Sequence, residues 1–76
     1  MTDTVTVPRT LGEVLQLKGR TFEKDGRRVY VDMFYYNVDY WTHGHAYIRP
    51  GPAEPSKQRI SIESLLDWLG GANEVR

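Results

Sequence analysis

The chain has 76 residues, no cysteine, and ten basic side chains balanced by ten acidic ones, so its formal net charge is zero. Its length predicts a single small domain over residues 1–76, with a modest hydrophobic core. The lack of cysteine excludes disulfides and thiolate zinc sites and favours a reducing compartment, which predicts a cytoplasmic protein. No apolar run approaches the roughly 20 residues of a membrane span, and no signal peptide is predicted.

The N-terminal segment is compatible with two structures. Residues 4 to 8, TVTVP, alternate as a short strand does, and Pro8 ends the alternation. The same residues are equally suited to a loose arm. We therefore expect residues 1–8 to form either an additional strand or an arm.

A short helix is predicted over roughly residues 11–18. Thr10 followed three residues later by Glu13 is a capping-box signature at its start. Three apolar side chains follow at helical spacing, and Gly19 is suited to the left-handed conformation that ends many helices. Gly12 lowers the helix propensity of the segment.

The centre of the chain is predicted to form an antiparallel meander. Asp25-Gly26 is a strong hairpin signal between strands at 20–23 and 27–36. A third strand is predicted at 40–49, after a turn that contains no glycine and whose length the sequence leaves open. The proline-rich loop PGPAEPSKQ, at 50–58, follows this strand.

An N-cap and an apolar stripe mark the last helix. Ser61 is a good N-cap residue, and Gly70-Gly71 ends the pattern. The stripe is formed by Ile62, Leu65, Leu66 and Leu69. Residues 72–76 are predicted to be a frayed tail. The predicted fold class is α+β: a small antiparallel sheet of three or four strands with a short N-terminal helix and a C-terminal helix.

Alternation of side chains predicts two different faces for this sheet. An even number of residues in the turn before the third strand would pair even positions of one strand with odd positions of the other. An odd number would break that arrangement. The face toward the last helix would carry the even positions of the third strand together with Val29, Val31, Met33 and Tyr35. The opposite face would be aromatic and polar, with Tyr30, Asp32, Phe34, Tyr36, Trp41, His43, His45 and Tyr47.

The aromatic and polar face is predicted to bind a protein partner without catalysis. Aromatic and arginine side chains are enriched in interface hot spots, and the sequence has neither a nucleophile elbow nor a phosphate-binding glycine loop. Small size and the lack of catalytic motifs favour a class of phage or mobile-element inhibitors of host protein complexes, which includes anti-CRISPR proteins. No cofactor is expected. The predicted partner-binding residues are Tyr30, Phe34, Tyr36, Trp41, His43, His45 and Tyr47, with Arg27 and Arg28 at the rim.

Single-stranded nucleic acid is an alternative ligand for the same face. Bases could stack on its rings while Arg28 and Arg49 contact phosphates. Residues 18–28 hold five positive and two negative side chains, an excess of three, although charged hairpin tips are usually only solvated. Zero net charge and Asp32 within the face argue against this alternative.

A small metal site is a second alternative. His43 and His45 would point the same way from one strand, and Asp32 would face one of them across the sheet. Two histidines and one carboxylate are the ligands of some iron and zinc sites. The ordinary structural interpretation is a hydrogen bond between Asp32 and a histidine, on a face partly covered by the first helix or the arm.

Overall fold

The computed structural model describes residues 2–75, which form an α+β fold with one antiparallel sheet. Its elements are β1 (Thr2–Thr4), α1 (Leu11–Leu15), β2 (Thr21–Lys24), β3 (Arg27–Tyr35), a 3₁₀ segment (Val38–His43), β4 (His45–Arg49), β5 (Gln58–Ser61), α2 (Ile62–Leu69) and β6 (Asn73–Val75). The six strands lie in the order β1-β6-β2-β3-β4-β5. The predicted α+β class is confirmed, but the predicted sheet of three or four strands is too small.

The first helix is capped as predicted. The N–H of Glu13 donates to Thr10 Oγ1 at 3.2 Å, and Glu13 Oε1 accepts from the N–H of Thr10 at 3.2 Å. The helix is shorter than predicted, because from Gln16 to Lys18 each backbone N–H donates to the carbonyl three residues back instead of four. The N–H of Leu17, for example, donates to the carbonyl of Val14 at 3.0 Å, three residues back.

The predicted hairpin between β2 and β3 is confirmed. Its two-residue turn has positive φ at both positions, 53° at Asp25 and 79° at Gly26. These angles match the twist of the adjoining strands, which is why Asp-Gly is favoured there. The register places Lys24 opposite Arg27 and Phe22 opposite Val29.

The predicted start of the third strand is wrong. The chain forms a 3₁₀ segment first, and β4 begins at His45 rather than at Tyr40. The side chain of Asn37 starts the segment, because its Oδ1 accepts from the N–H of Asp39 at 2.9 Å. The N–H of Gly44 ends it by donating to the carbonyl of Trp41 at 3.0 Å.

A β-bulge at Asp32 divides β3 into two parts. Before it, Tyr30 pairs with Arg49 and Val31 with Ile48. After it the register shifts by one, so that Met33 pairs with Tyr47, Phe34 with Ala46, and Tyr35 with His45. The connection from 36 to 44 also has an odd number of residues, so beyond the bulge odd positions pair with odd positions. Met33, Phe34 and Tyr35 therefore lie on the faces opposite to those predicted.

Both helices pack on the same face of the sheet. The core cluster contains buried residues from the turn after α1, the sheet, α2 and the turn after α2: Leu17, Phe22, Val29, Val31, Ala46, Ile48, Leu65, Leu69 and Ala72. The predicted stripe of α2 is confirmed, since Ile62, Leu65 and Leu69 are buried and Leu66 packs against the cluster. No helix within residues 2–75 is long and apolar enough to cross a membrane.

The predicted frayed tail at 72–76 is wrong for residues 73–75, which form β6 between β1 and β2; Arg76 lies outside the described residues. Ala72 is buried, and its carbonyl accepts from the N–H of Val5 at 3.0 Å. The strand predicted at 4–8 lies at Thr2–Thr4 instead and pairs with β6. β1 and β6 therefore pair with each other in the sheet. This pairing joins residues distant in the sequence, and no local sequence pattern predicts it.

Candidate binding surface

One face of the sheet is covered by neither α1 nor α2, and we call it the outer face. Its side chains follow from the register, because residues paired across antiparallel strands point to the same side. Val31 with Ile48 and Phe34 with Ala46 point toward the helices. The outward pairs on β3 and β4 are Tyr30 with Arg49, Met33 with Tyr47, and Tyr35 with His45.

Three rings at one end of the outer face contact one another. The ring centroid of His45 lies 5.5 Å from that of Tyr35 and 5.5 Å from that of Tyr47. Tyr35 and Tyr47 lie 5.6 Å apart, with an edge-to-face angle of 85°. Such edge-to-face pairs contribute about 0.5–1.5 kcal/mol beyond the area they bury. The three rings therefore support one another's orientation.

Four exposed large apolar side chains fall within residues 35–40, and we call them the exposed patch: Tyr35, which is also one of the three rings, Tyr36, Val38 and Tyr40. Val38 and Tyr40 are 69% and 68% exposed, and Tyr35 is 51% exposed. Within the described part of the chain, Leu15 is the remaining large apolar side chain in this class. Exposed apolar side chains scattered singly are ordinary, but four of them within six residues are typical of a contact surface.

The structure brings several predicted site residues together. Tyr30, His45 and Tyr47 lie on the outer face and are half-buried. Tyr36 lies in the exposed patch, just beyond the end of β3. Tyr30, His45 and Tyr47 thus lie on the face where alternation put them, whereas Tyr36 is placed only by its exposure.

Other predicted site residues lie elsewhere. Phe34 packs against the core cluster, because the bulge turns it toward the helices. Trp41 is half-buried and His43 is exposed, and both belong to the 3₁₀ segment, which contacts α2. Their predicted alternation with His45 required a strand, so it does not hold for them.

Asp32 faces cations rather than a histidine. Its Oδ2 lies 3.3 Å from Arg49 Nη2 and 3.6 Å from Lys57 Nζ. The predicted pairing of Asp32 with His43 or His45 is wrong, because the bulge removes Asp32 from the ladder with β4. Among the side chains that the structure describes, at residues 5–75, no group of three His, Asp or Glu could hold a metal ion. The structure thus provides no ligand set for the metal alternative within those residues.

The two predicted rim arginines have different surroundings. Arg28 lies opposite Glu23 on β2, and its Nε donates to Glu23 Oε2 at 2.9 Å. Arg27 points to the other side of the strand and donates from Nη2 to the amide oxygen of Gln58 at 3.3 Å. Both side chains are exposed.

Sequence reasoning missed several residues of this surface. Tyr35 and Tyr40 were expected to face the helices, yet both are among the most exposed apolar side chains. Lys57, from the proline-rich loop, places Nζ 5.4 Å from the ring centroid of Tyr47. A bulge has no reliable local sequence signal, and the position of Lys57 depends on how the loop returns to the sheet. The one local signal for the 3₁₀ segment before β4 is Asn37, because asparagine is common in turns and at helix N-caps.

The fold and this surface define a class: a small α+β protein with helices on one sheet face and an aromatic outer face with an exposed apolar end. No protein-family model, curated protein or solved structure matches the chain.

Proposed function

We propose that this chain is a non-catalytic protein-binding module that docks through the exposed patch and the adjoining rings of the outer face. The observation that carries the proposal is the concentration of exposed apolar side chains at positions 35 to 40. Tyrosine is favoured at interfaces because it buries a large apolar ring and retains a polar hydroxyl.

The backbone beneath the patch is held in place, which lowers the entropy lost on binding. The Asn37 side chain accepts from the N–H of Asp39 at 2.9 Å, and the Gly44 carbonyl accepts from the N–H of Ile62 at 3.0 Å. The first bond shapes the 3₁₀ segment and the second attaches its end to α2. A prearranged patch loses less freedom when it meets a partner than a loose loop does.

The partner we propose is a protein of the host in which the chain acts, in line with the inhibitor class that its size and lack of catalytic motifs favour. The surface that fits the patch is an apolar groove with hydrogen-bond acceptors at its edges, because three of the four patch side chains are tyrosines. His45 lies beside Tyr35 and belongs to the same contact area.

The test uses a triple variant, Tyr35→Ser/Val38→Ser/Tyr40→Ser, and Leu15→Ser as the control at an exposed apolar position outside the patch. Thermal unfolding first establishes that both variants fold. Proteins captured from the host lysate are then identified by mass spectrometry, and the candidate is purified and titrated by calorimetry. We expect wild type and the control to bind equally and the triple variant to bind at least tenfold more weakly. Equal binding by all three proteins would contradict the proposal.

Single-stranded nucleic acid is the competing ligand, and the cation near the Tyr47 ring favours it. Asp32 weighs against it, since this carboxylate lies close to both Arg49 and Lys57 and reduces their charge toward phosphates. Fluorescence anisotropy with a single-stranded oligomer at two salt concentrations separates the two functions. Tight, steeply salt-dependent binding that the triple variant loses would replace the protein-binding proposal.

A further inference from the structure

A gap in the sheet lies at the end of β4 farthest from the exposed patch. The last residue pair between β3 and β4 is Tyr30 with Arg49, and Pro50, which has no N–H to extend the ladder, follows. β3 continues to Arg27, so its first three residues have β2 on one side and, among residues 2–75, no strand on the other. This gap, which we call the notch, opens between the start of β3 and residues 56–58.

The notch is a cleft of about 570 Å³ with four cationic side chains in its lining. It is lined by Gly26, Arg27, Arg28, Val29, Ile48, Arg49, Pro50, Ser56, Lys57 and Gln58. Two carboxylates offset part of this charge: Glu23 pairs with Arg28, and Asp32 contacts both Arg49 and Lys57. Four positive charges less two negative ones leave an excess of two. The chain as a whole is neutral, so this excess is a local feature of the notch.

Two of the cations retain hydrogen-bonding capacity. Within residues 2–75, the polar contact of the Arg27 side chain is the 3.3 Å bond to the Gln58 amide, with no ion pair. Arg49 is held by the carbonyl of Glu54 at 2.8 Å and by Asp32, and its side chain is only 23% exposed. Its Nε is buried and therefore not accessible to a ligand. The two terminal nitrogens each carry a second N–H, and a guanidinium fixed in this way is suited to an oxyanion.

The backbone adds a further donor to the notch. The N–H of Val31 donates to the carbonyl of Arg20 at 3.1 Å, so Val31 directs its backbone groups toward the β2 side. Backbone groups of successive strand residues alternate between the two sides. Arg28, three residues earlier, therefore directs its N–H and carbonyl away from β2 and into the notch.

We propose that the notch binds the phosphate group of a small phosphorylated compound. A phosphate monoester is largely dianionic at neutral pH, and its charge matches the excess of two, whereas a carboxylate would neutralise only one. Arginine forks match phosphate oxygens with two parallel hydrogen bonds. The cleft is larger than a phosphate group alone and lies in the size range of small-molecule sites, so it also accommodates the organic part.

This site lies apart from the exposed patch of the proposed protein-binding surface. Tyr35 pairs with the first residue of β4, whereas the notch is lined by its last two residues, Ile48 and Arg49. At about 3.3 Å per residue, the two ends of β4 lie roughly 13 Å apart. Lys57 is shared, because its Nζ also lies 5.4 Å from the ring centroid of Tyr47. The variant at positions 35, 38 and 40 leaves the notch intact, so the two proposals still fail separately.

The experiment is an NMR titration of the ¹⁵N-labelled full chain with inorganic phosphate, adenosine monophosphate and acetate, at constant ionic strength and neutral pH. We expect saturable shifts from adenosine monophosphate at the amides of 26–29, 48–49 and 56–58, weaker shifts from inorganic phosphate, and none from acetate. The amides of 35 to 40 should not respond. Equal effects of acetate, or shifts that never saturate, would overturn the proposal. Inorganic phosphate binding as tightly as adenosine monophosphate would support the phosphate site and identify the free anion as its ligand.

A charge-matched pair of variants separates the notch from general attraction. Arg27→Gln/Lys57→Gln removes two exposed cations from the notch, and Arg9→Gln/Lys18→Gln removes two exposed cations outside it. Both variants have the same net charge. We expect the first to bind adenosine monophosphate at least tenfold more weakly and the second to bind like wild type. Equal weakening in both would overturn the site. So would a single-stranded oligonucleotide that shifts the notch amides when neither small phosphate does, because the ligand would then be a polymer.

Discussion

The guanidinium of Arg20 forms a two-pronged ion pair with the carboxylate of Glu74, with Nε 2.8 Å from Oε2 and Nη2 bonded to Oε1. Arg20 directly precedes β2, and Glu74 is the central residue of β6, so the pair attaches the C-terminal strand to the middle of the sheet. This hydrogen bonding to Glu74 raises the pKa of Arg20 above its ordinary value. The Glu74 side chain is only 14% exposed.

Replacement of Glu74 is expected to weaken the sheet. Glu74→Gln removes the charge that Arg20 binds, and we expect a loss of about 1 kcal/mol in the free energy of unfolding, because Arg20 is partly screened by solvent. Urea denaturation measures this loss. The matched control is Glu23→Gln, which breaks the more exposed pair with Arg28 and should cost less than about 0.5 kcal/mol. Equal losses in the two variants would show that Glu74 does not hold β6.

Gly44 is expected to tolerate no side chain. A Cβ placed there would collide with the carbonyl oxygen of Tyr35 and lie 2.9 Å from Tyr36 Cβ. Gly44→Ala should therefore destabilise the chain by about 1–3 kcal/mol, as overpacking does. Gly12→Ala is the opposite case, since no atom lies within 4 Å of its added Cβ and alanine favours a helix interior. It should stabilise by about 0.5–1 kcal/mol. Chemical denaturation of both variants tests the difference in sign.

Lys24 is expected to stabilise the end of α2. Its Nζ donates to the carbonyls of Trp68 at 3.1 Å and Gly70 at 2.7 Å. Carbonyls at the C-terminal end of a helix lack partners within the helix. A cation there also interacts favourably with the negative end of the helix dipole. Lys24→Met keeps the apolar stem and should lower the free energy of unfolding by about 1 kcal/mol. Lys18→Met, at an exposed position, should change it little, and a Lys24 variant as stable as this control would contradict the capping role.

The capping box at Thr10 is expected to respond to acid. The N–H of Arg9, followed by the hydroxyl of Thr10, lowers the pKa of Glu13. A pKa that is lower in the folded state gives stability that is present above the unfolded-state value, about 4.3, and is lost as pH falls through the folded value. The stability difference between wild type and Glu13→Gln should therefore decrease below about pH 4.3. Urea denaturation across that range measures it, and a difference independent of pH would contradict the assignment.

Structural features set by residues close together in the chain were predicted correctly from the sequence. The capping box at Thr10 and Glu13, the Asp25-Gly26 turn and the stripe of α2 were all predicted, because each depends on backbone angles or spacing within a few residues. The candidate surface was predicted only in part. His45 and Tyr47 lie where alternation put them, whereas Trp41 and His43 do not, since the 3₁₀ segment replaces the expected strand.

The bulge at Asp32 explains most of the remaining difference. One extra residue in β3 moves Phe34 to the core and Tyr35 to the outer face, and it directs Asp32 toward Arg49. Alternation has a period of two residues, so a single insertion reverses every assignment beyond it. No pattern within β3 itself reveals where the insertion lies.

By itself, the sequence determined the α+β class, the first hairpin and both helices, because caps, turns and apolar periodicity act over a few residues. Only the tertiary structure decided that residues 73–75 enter the sheet between β1 and β2, that Tyr35 and Tyr40 face solvent, and that the notch gathers charges from three separate segments. These features depend on pairings between residues distant in the chain. Their free energy comes from the assembled sheet and its core rather than from any local pattern.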